Sequence, residues 1–265
     1  MDSPADDTMW IAIRSETQHS AENEPLLASF LHATILNHTT LENALSFILA
    51  NKLASSTLLP ISLMELILSA FSSDSRLGIS TRADLQAIKD RDPACRNYCN
   101  PLLHFKGFHA LQSYRVAHWL WNQGREALAI TMQSRISEVF DVDIHPAARL
   151  GCGILMDHAT GIVIGETTVI EDDVSILHNV TLGGTGKEKG DRHPKIGKGV
   201  LISTGATILG NVRVGEGAKI GANSVILDNI PPHCTAVGVP AKICGHPRSP
   251  SPALEMNHRV NSNTQ

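Results

Sequence analysis

The sequence predicts an α+β chain, an N-terminal all-helical domain followed by a left-handed parallel β-helix of hexapeptide repeats with one inserted loop. Three observations predict it. Aliphatic residues recur every sixth position at Ile196, Ile202, Ile208, Val214, Ile220 and Ile226. The region before Phe140 instead spaces its apolar residues by three and four. The six-residue frame, traced back from Ile196, is interrupted by one long polar stretch. A period of six fits neither one amphipathic helix nor plain strand alternation. It is the mark of short strands stacked around a shared prism.

Residues 1–140 read as the helical domain, 141–246 as the β-helix and 247–265 as a flexible tail. Helical spacing runs through Leu26, Leu27, Phe30 and Ala33, then Leu41, Ala44, Leu45 and Ile48, then Leu63, Leu66, Ile67 and Ala70. Pro25 and Pro60 suit first helical positions, and Thr40 and Thr81 suit caps. Arg91-Asp92-Pro93 reads as a loop, because the residue before a proline avoids the α region. The stretch from Phe105 to Trp121 carries many of the chain's few aromatics on a further helix, with packing as their ordinary role.

Within the β-helix, Ile144, Leu150 and Met156 hold the frame, which then jumps by eight to Ile164 and continues through Ile170, Ile176 and Leu182. The two extra residues are expected to bulge near Gly161. Fourteen residues separate Leu182 from Ile196, so a polar loop, TGKEKGDRHP, leaves the prism there. An insertion of this kind in a solenoid is more often functional than structural. Gly197, Gly215 and Gly221 each follow an inward aliphatic residue, where a turn is expected to need relaxed backbone angles. Val200, Ala206, Val212, Ala218 and Ser224 are mostly small enough for a narrow interior. With three hexapeptides per coil, Met156, Ile176, Ile202 and Ile220 stack. His158, His178, Thr204 and Ala222 then form one outward line. On geometry alone that line suits a groove for an elongated ligand and equally suits two solvated histidines.

Composition narrows the classes. A formal charge of −4 with 18% charged residues gives no electrostatic case for nucleic acid. The beginning, MDSPADDTMW, is acidic where a signal peptide would be basic and apolar, and no apolar run reaches bilayer length, so a cytoplasmic protein without membrane contact is the simplest reading. The five cysteines, Cys95, Cys99, Cys152, Cys234 and Cys244, lack the close-set pairs of a zinc site and read as free thiols.

Several motifs together resemble the serine acetyltransferase family: RDPA at Arg91 to Ala94, KGFHALQ from Lys106, VDIHPAA from Val142, DHATGIVIGE from Asp157, VTLGGTGK from Val180 and GDRHPKIG from Gly190. The hexapeptides alone point only to the wider acyltransferase superfamily. The resemblance implies transfer of acetyl from acetyl-CoA to L-serine, giving O-acetylserine for cysteine synthesis. Acetyl-CoA is then a co-substrate, with no tightly bound cofactor and no metal. It implies His158 as general base for the weakly nucleophilic hydroxyl, oriented by Asp143. It implies Asp92 and Asp157 for the serine ammonium, with Pro93 beside them, Arg192 for the carboxylate and His193 completing the site, either placing the hydroxyl or stabilising the tetrahedral oxyanion. For coenzyme A it implies a cleft between neighbouring β-helices of a trimer, lined by Gly184, Thr204, Gly205, Lys219 and Ala222.

The same resemblance implies a homotrimer or a hexamer of two trimers joined through the helical domains, with loop residues serving the neighbouring subunit's site. L-cysteine is the implied inhibitor, competing at the serine site and reorganising the C-terminal segment. Many members end in an isoleucine that enters O-acetylserine sulfhydrylase. This chain ends at Gln265, which argues against that partner. His178 and Cys152 need no catalytic role, although a second histidine stacked beside His158 could depress its pKa.

Other readings share parts of the pattern. An acetyltransferase for homoserine, a sugar or a xenobiotic needs the prism but not the Asp92, Asp157 and Arg192 set. A β-helical metallohydratase needs three converging histidines, and the register of His145, His158, His178 and His193 gives no clear trio. A non-catalytic scaffold would tolerate loss of His158.

Overall fold

The computed structural model describes residues 7–186 and 189–259. Eight α-helices, with a π-helical turn at His32–Leu36, fill the chain as far as Phe140. Pro25 and Pro60 open the helices Pro25–Leu31 and Pro60–Ser73. The Thr40 hydroxyl caps Leu41–Leu53, accepting from the Asn43 amide at 3.2 Å. Thr81 is not a cap. It lies within the helix Ser75–Arg91, where its hydroxyl reaches Leu77 O at 2.8 Å and the buried Gln112 Oε1 at 2.8 Å. Asp74 caps that helix instead, accepting from the Arg76 amide at 3.0 Å. Lys106–Asn122 is one helix, buried along most of its length. Asp141, left-handed at φ 58°, turns the chain out of Glu126–Phe140 into the first strand.

From Val142 the chain winds into a parallel β-solenoid with three faces. The first stacks Val142–Ile144, Ile162–Ile164, Thr181–Gly183, Thr207–Leu209 and Val225–Ile226. The second stacks Arg149–Leu150, Val169–Ile170, Lys195–Ile196 and Arg213–Val214. The third stacks Leu155–Met156, Ser175–Ile176, Leu201–Ile202, Lys219–Ile220 and Thr235–Gly238, closed by the antiparallel strand Ala241–Gly245. The six aliphatic residues from Ile196 to Ile226 all point inward and are essentially inaccessible. Val200, Ala206, Val212, Ala218 and Ser224 fill the space between them.

The glycines after the inward residues serve a different purpose from the one expected. Gly197, Gly215 and Gly221 are absent from the positive-φ positions, which include Gly199, Gly205, Gly217, Asn179 and Asn223. A Cβ on Gly197 would stand 2.7 Å from the Glu216 amide nitrogen, and one on Gly215 would stand 2.4 Å from that of Pro232. These residues are bare because the next coil passes directly over them.

Charged side chains join helices to prism. Asp84, fully buried, accepts from Arg115 Nε at 2.9 Å, Gln112 Nε2 at 2.8 Å and the Ile154 amide at 3.0 Å. Arg115 also donates to Gly151 O at 2.7 Å. Arg91 donates to Gly153 O at 2.9 Å and to Asp173 Oδ1 at 3.1 Å. The segment after Pro247, expected to be flexible, packs on the third face as far as it is described. Pro252–Glu255 form a helical turn, Ala253 is buried, and Ser175 Oγ donates to Ala253 O at 2.9 Å. The Ala253 amide in turn donates to Gly199 O at 3.3 Å. Gln265, Lys187 and the first six residues lie outside the described residues.

Candidate active site

Two polar clusters stand on adjacent corners of the prism. The first follows the strand Leu155–Met156. Met156, Ile176, Ile202 and Ile220 stack in register as expected. Asp157 and Leu177 occupy equivalent positions, their amides donating to Ile176 O and Ile202 O. Beyond them the Asn179 amide donates to Thr160 O, just as the Gly205 amide donates to His178 O. The two extra residues of this coil are therefore His158 and Ala159, beside Gly161, and Thr160 rather than the expected His158 stands in line with His178, Thr204 and Ala222. His158 and Ala159 are both left-handed, at φ 56° and 60°. Ala159 is buried against the start of the helix Lys106–Asn122, where a Cβ on Gly107 would stand 2.1 Å from Met156 O and 3.0 Å from Ala159 Cβ.

The bulge pushes His158 outward, leaving its side chain 73% exposed with Nε2 3.8 Å from Asp157 Oδ2. Its ring meets His178 edge-on at 5.8 Å, and His178 Nε2 lies 2.8 Å from Thr204 Oγ1. Asp92 ends the helix Ser75–Arg91, its Oδ1 accepting from the Ala94 amide at 2.8 Å, and Pro93 is exposed beside it. The neighbouring Arg91, through its bonds to Gly153 and Asp173, ties this loop to the prism. Sequence reasoning passed over Arg91, although the RDPA motif contains it.

The second cluster lies one face away, where the inserted loop re-enters the prism before Lys195–Ile196. Arg192 donates to Glu166 Oε2 at 2.6 Å, which holds the Glu166 carboxyl below its ordinary range. His193 is only 7% exposed. Burial, reinforced by Arg192, lowers its pKa. The ring crosses Gly165, where a Cβ would stand 2.1 Å from Nε2. Its Nδ1 lies 2.9 Å from Thr167 Oγ1. Burial also lowers His145, against the pull of Glu166 and Asp143. Asp143 accepts from Gln133 Nε2 at 2.7 Å. Among the described residues of one chain, no hydrogen bond or ion pair joins Asp143 to His158.

The residues expected to line a coenzyme cleft divide between the corners. Thr204, Gly205 and Ala222 continue the line of His178, and a Cβ on Gly205 would meet Asn223 Oδ1 at 2.1 Å. Gly184 borders His193, an added Cβ there standing 3.5 Å from Nε2. Lys219 is on the third face, buried, its ammonium donating to Asn257 O and, at 2.7 Å, to Arg259 O. Burial lowers its pKa. In this conformation the tail, rather than a free approach, covers that ammonium. All five cysteines are free thiols. Among the described residues, no group of three His, Cys, Asp or Glu is arranged to hold a metal ion. No described helix is long and apolar enough to cross a membrane.

Comparison with known proteins agrees with this architecture. Residues 9–113 match the family model described as "Serine acetyltransferase, N-terminal", and residues 193–228 match "Bacterial transferase hexapeptide (six repeats)". A serine acetyltransferase of Salmonella typhimurium is 57% identical over 96% of this chain and 93% of its own length. A solved serine acetyltransferase in complex with cysteine superposes with a TM-score of 0.94 at 55% identity, covering 98% of this chain and 100% of that one. The Neisseria gonorrhoeae enzyme in complex with serine has a TM-score of 0.87 at 54% identity, over 88% of this chain and 96% of its own. The Brucella abortus enzyme in complex with coenzyme A has a TM-score of 0.89 at 50% identity, over 91% of this chain and 96% of its own. By identity and coverage alike, the chain belongs to the serine acetyltransferase family.

Proposed function

We propose that the chain transfers acetyl from acetyl-CoA to the hydroxyl of L-serine, releasing CoA and O-acetyl-L-serine, the committing step of cysteine synthesis, under feedback inhibition by L-cysteine. The observation that carries this reading is the division of groups between two corners. An exposed imidazole with the Asp157 carboxylate stands on one, with Asp92 on the loop that Arg91 anchors nearby, and a guanidinium paired with Glu166 stands on the next. A free amino acid presents an ammonium and a carboxylate a few bonds apart, so its site needs both signs. One protomer separates them by a prism face. Three protomers around a three-fold axis would set the first corner of one against the second corner of its neighbour, completing the set.

In that assembly His158 takes the serine proton as the oxygen attacks the thioester carbonyl. Such base catalysis contributes about 10²–10⁴-fold. Asp143 belongs to the second corner in its own chain. It would reach the imidazole across the interface, fixing its tautomer and stabilising the imidazolium. Asp92 and Asp157, with Pro93 shaping their loop, face the ammonium, and Arg192 exchanges Glu166 for the substrate carboxylate. Gly184, Thr204, Gly205 and Ala222 admit the pantetheine arm, and Lys219 meets phosphate once the tail releases it. Acetyl passes directly between the two substrates, and the free cysteines take no part. A homotrimer, or a hexamer of two trimers, is the active form.

The test is thiol release from acetyl-CoA by the purified protein with L-serine, L-homoserine or no acceptor, for the natural chain and His158→Ala. Serine-dependent release that collapses in the variant is the expected result. Equal rates with homoserine would move the reading to another acceptor, and an undiminished variant would remove His158 from its role.

A further inference from the structure

The hydrogen bonds around His193 fix which of its nitrogens carries the proton. Thr167 faces the ring with its backbone amide and its hydroxyl. The amide lies 3.2 Å from His193 Nδ1, and an N–H can only donate, so Nδ1 is a lone pair. The hydroxyl oxygen lies 3.0 Å from the Arg192 amide and 3.0 Å from the His193 amide, both donors, which together occupy its two lone pairs. Its own proton faces Nδ1, 2.9 Å away, and the Asp191 carboxylate, which also draws on it. The Thr167 amide alone makes Nδ1 the acceptor, so the proton of the neutral ring sits on Nε2.

The Cδ2–Nε2 edge of the ring, both atoms 2.1 Å from a Gly165 Cβ, is also where the chain has cleared space. Nε2 passes 3.5 Å from where a Gly184 Cβ would be. No described residue accepts its proton. The ring's burial, with Arg192 and Lys195 on the same loop, opposes a second proton against the pull of Glu166.

We infer that Thr167 is a positioning residue that holds His193 as a neutral Nε2–H donor, aimed at the oxygen that becomes negative when the thioester carbonyl is attacked. His193 on this account never removes a proton: Nδ1 is occupied by the Thr167 amide and Nε2 already carries its hydrogen. The division of labour follows, with the exposed His158 as base and the buried His193 as donor. The kinetic part of this inference rests on the acetyl-transfer reading, whereas the tautomer does not.

Two experiments test it on the full-length protein. In NMR of the natural chain labelled with 15N-histidine, with His193→Gln used to assign the signals, His193 should show the Nε2–H pattern near neutral pH. An Nδ1–H or doubly protonated ring would overturn the inference even in a chain inactive toward serine. Kinetics supply the second test. Glutamine can place an amide donor where Nε2 lies, while asparagine reaches only as far as Nδ1. His193→Gln should therefore stay within roughly tenfold of the natural kcat and His193→Asn should fall about 10²–10³-fold, the usual loss for an oxyanion donor. Thr167→Ser should preserve kcat and Thr167→Val should lower it, with serine KM little changed in each. Equal losses in the glutamine and asparagine variants, or a loss confined to serine KM, would refute the oxyanion assignment. Absence of serine-dependent turnover in the natural chain would instead refute the acetyl-transfer reading and leave the NMR result standing.

Discussion

Replacing Asp84 with alanine should destabilise the chain by about 3–5 kcal/mol, the usual cost of breaking a buried pair and leaving one charge without its partner. Asp84 is fully inaccessible and its partner Arg115 is 7% exposed, so water cannot substitute for the lost carboxylate. The damage extends past the pair, because the same carboxylate receives Gln112 Nε2 and the Ile154 amide, at 2.8 and 3.0 Å. At roughly 2–4 °C per kcal/mol for chains somewhat shorter than this one, the melting temperature should fall by about 10 °C. Thermal melts followed by circular dichroism, with urea titrations for the free energy, measure it. The double variant Asp84→Leu with Arg115→Met removes both charges and should recover most of the loss, since apolar replacement of a buried pair is often neutral or better. A loss under about 1 kcal/mol in Asp84→Ala, or a double variant no better than the single one, would refute the argument that the charge left behind sets the cost.

Two further consequences follow from packing and protonation. His109 is held near pKa 4 by burial, against the bond from Nε2 to Leu102 O, so the folded chain resists a proton that the unfolded chain accepts near its ordinary value of 6.5. Stability from this group is complete above about pH 6.5 and drains away as the pH falls toward 4, by about 2 kcal/mol between pH 7 and pH 5. His109→Gln should flatten that part of the stability–pH curve in urea titrations, and an unchanged slope would rule the histidine out. Gly107→Ala puts a Cβ 2.1 Å from Met156 O. Overpacking of that kind costs about 1–3 kcal/mol, and Met156 lies two residues before His158. Turnover should fall along with melting temperature, whereas retention of both would show that the helix start slides aside freely.

The prism was legible because its packing repeats: one inward residue in six is a pattern that a single chain displays openly. The purpose of the glycines was not, since Gly197 and Gly215 are excluded volume, and volume belongs to the coil above. Gly165 follows the same rule, standing directly after inward Ile164, but what passes over it is the His193 ring. That shared position is the signal that could have found it. The bulge at His158 appeared as a jump of eight in the frame, while its cause, Ala159 wedged beneath Gly107, depends on a contact between distant segments. Asp84 and Arg115 escaped notice because helical spacing marks apolar residues, and Thr81 was misplaced because a threonine that bonds backward within a helix looks like a cap in sequence. The packing of the tail had no signature, its partners Ser175, Gly199 and Lys219 standing in the sequence without a shared period. For the site, the motifs drew the eye to the groups that face substrate. Thr167, which bonds His193, stands one residue past the DHATGIVIGE motif, and Arg91, although inside RDPA, spends its guanidinium on Gly153 and Asp173 of a distant segment.

The separation of the two clusters by one prism face has a genetic consequence. In the proposed trimer, a chain defective at His158 and a chain defective at His193 carry their lesions into different halves of each site. Mixed at random, about a quarter of the sites would pair an intact first corner with an intact second corner. Two inactive alleles would then restore growth to each other, which neither achieves with a second copy of itself.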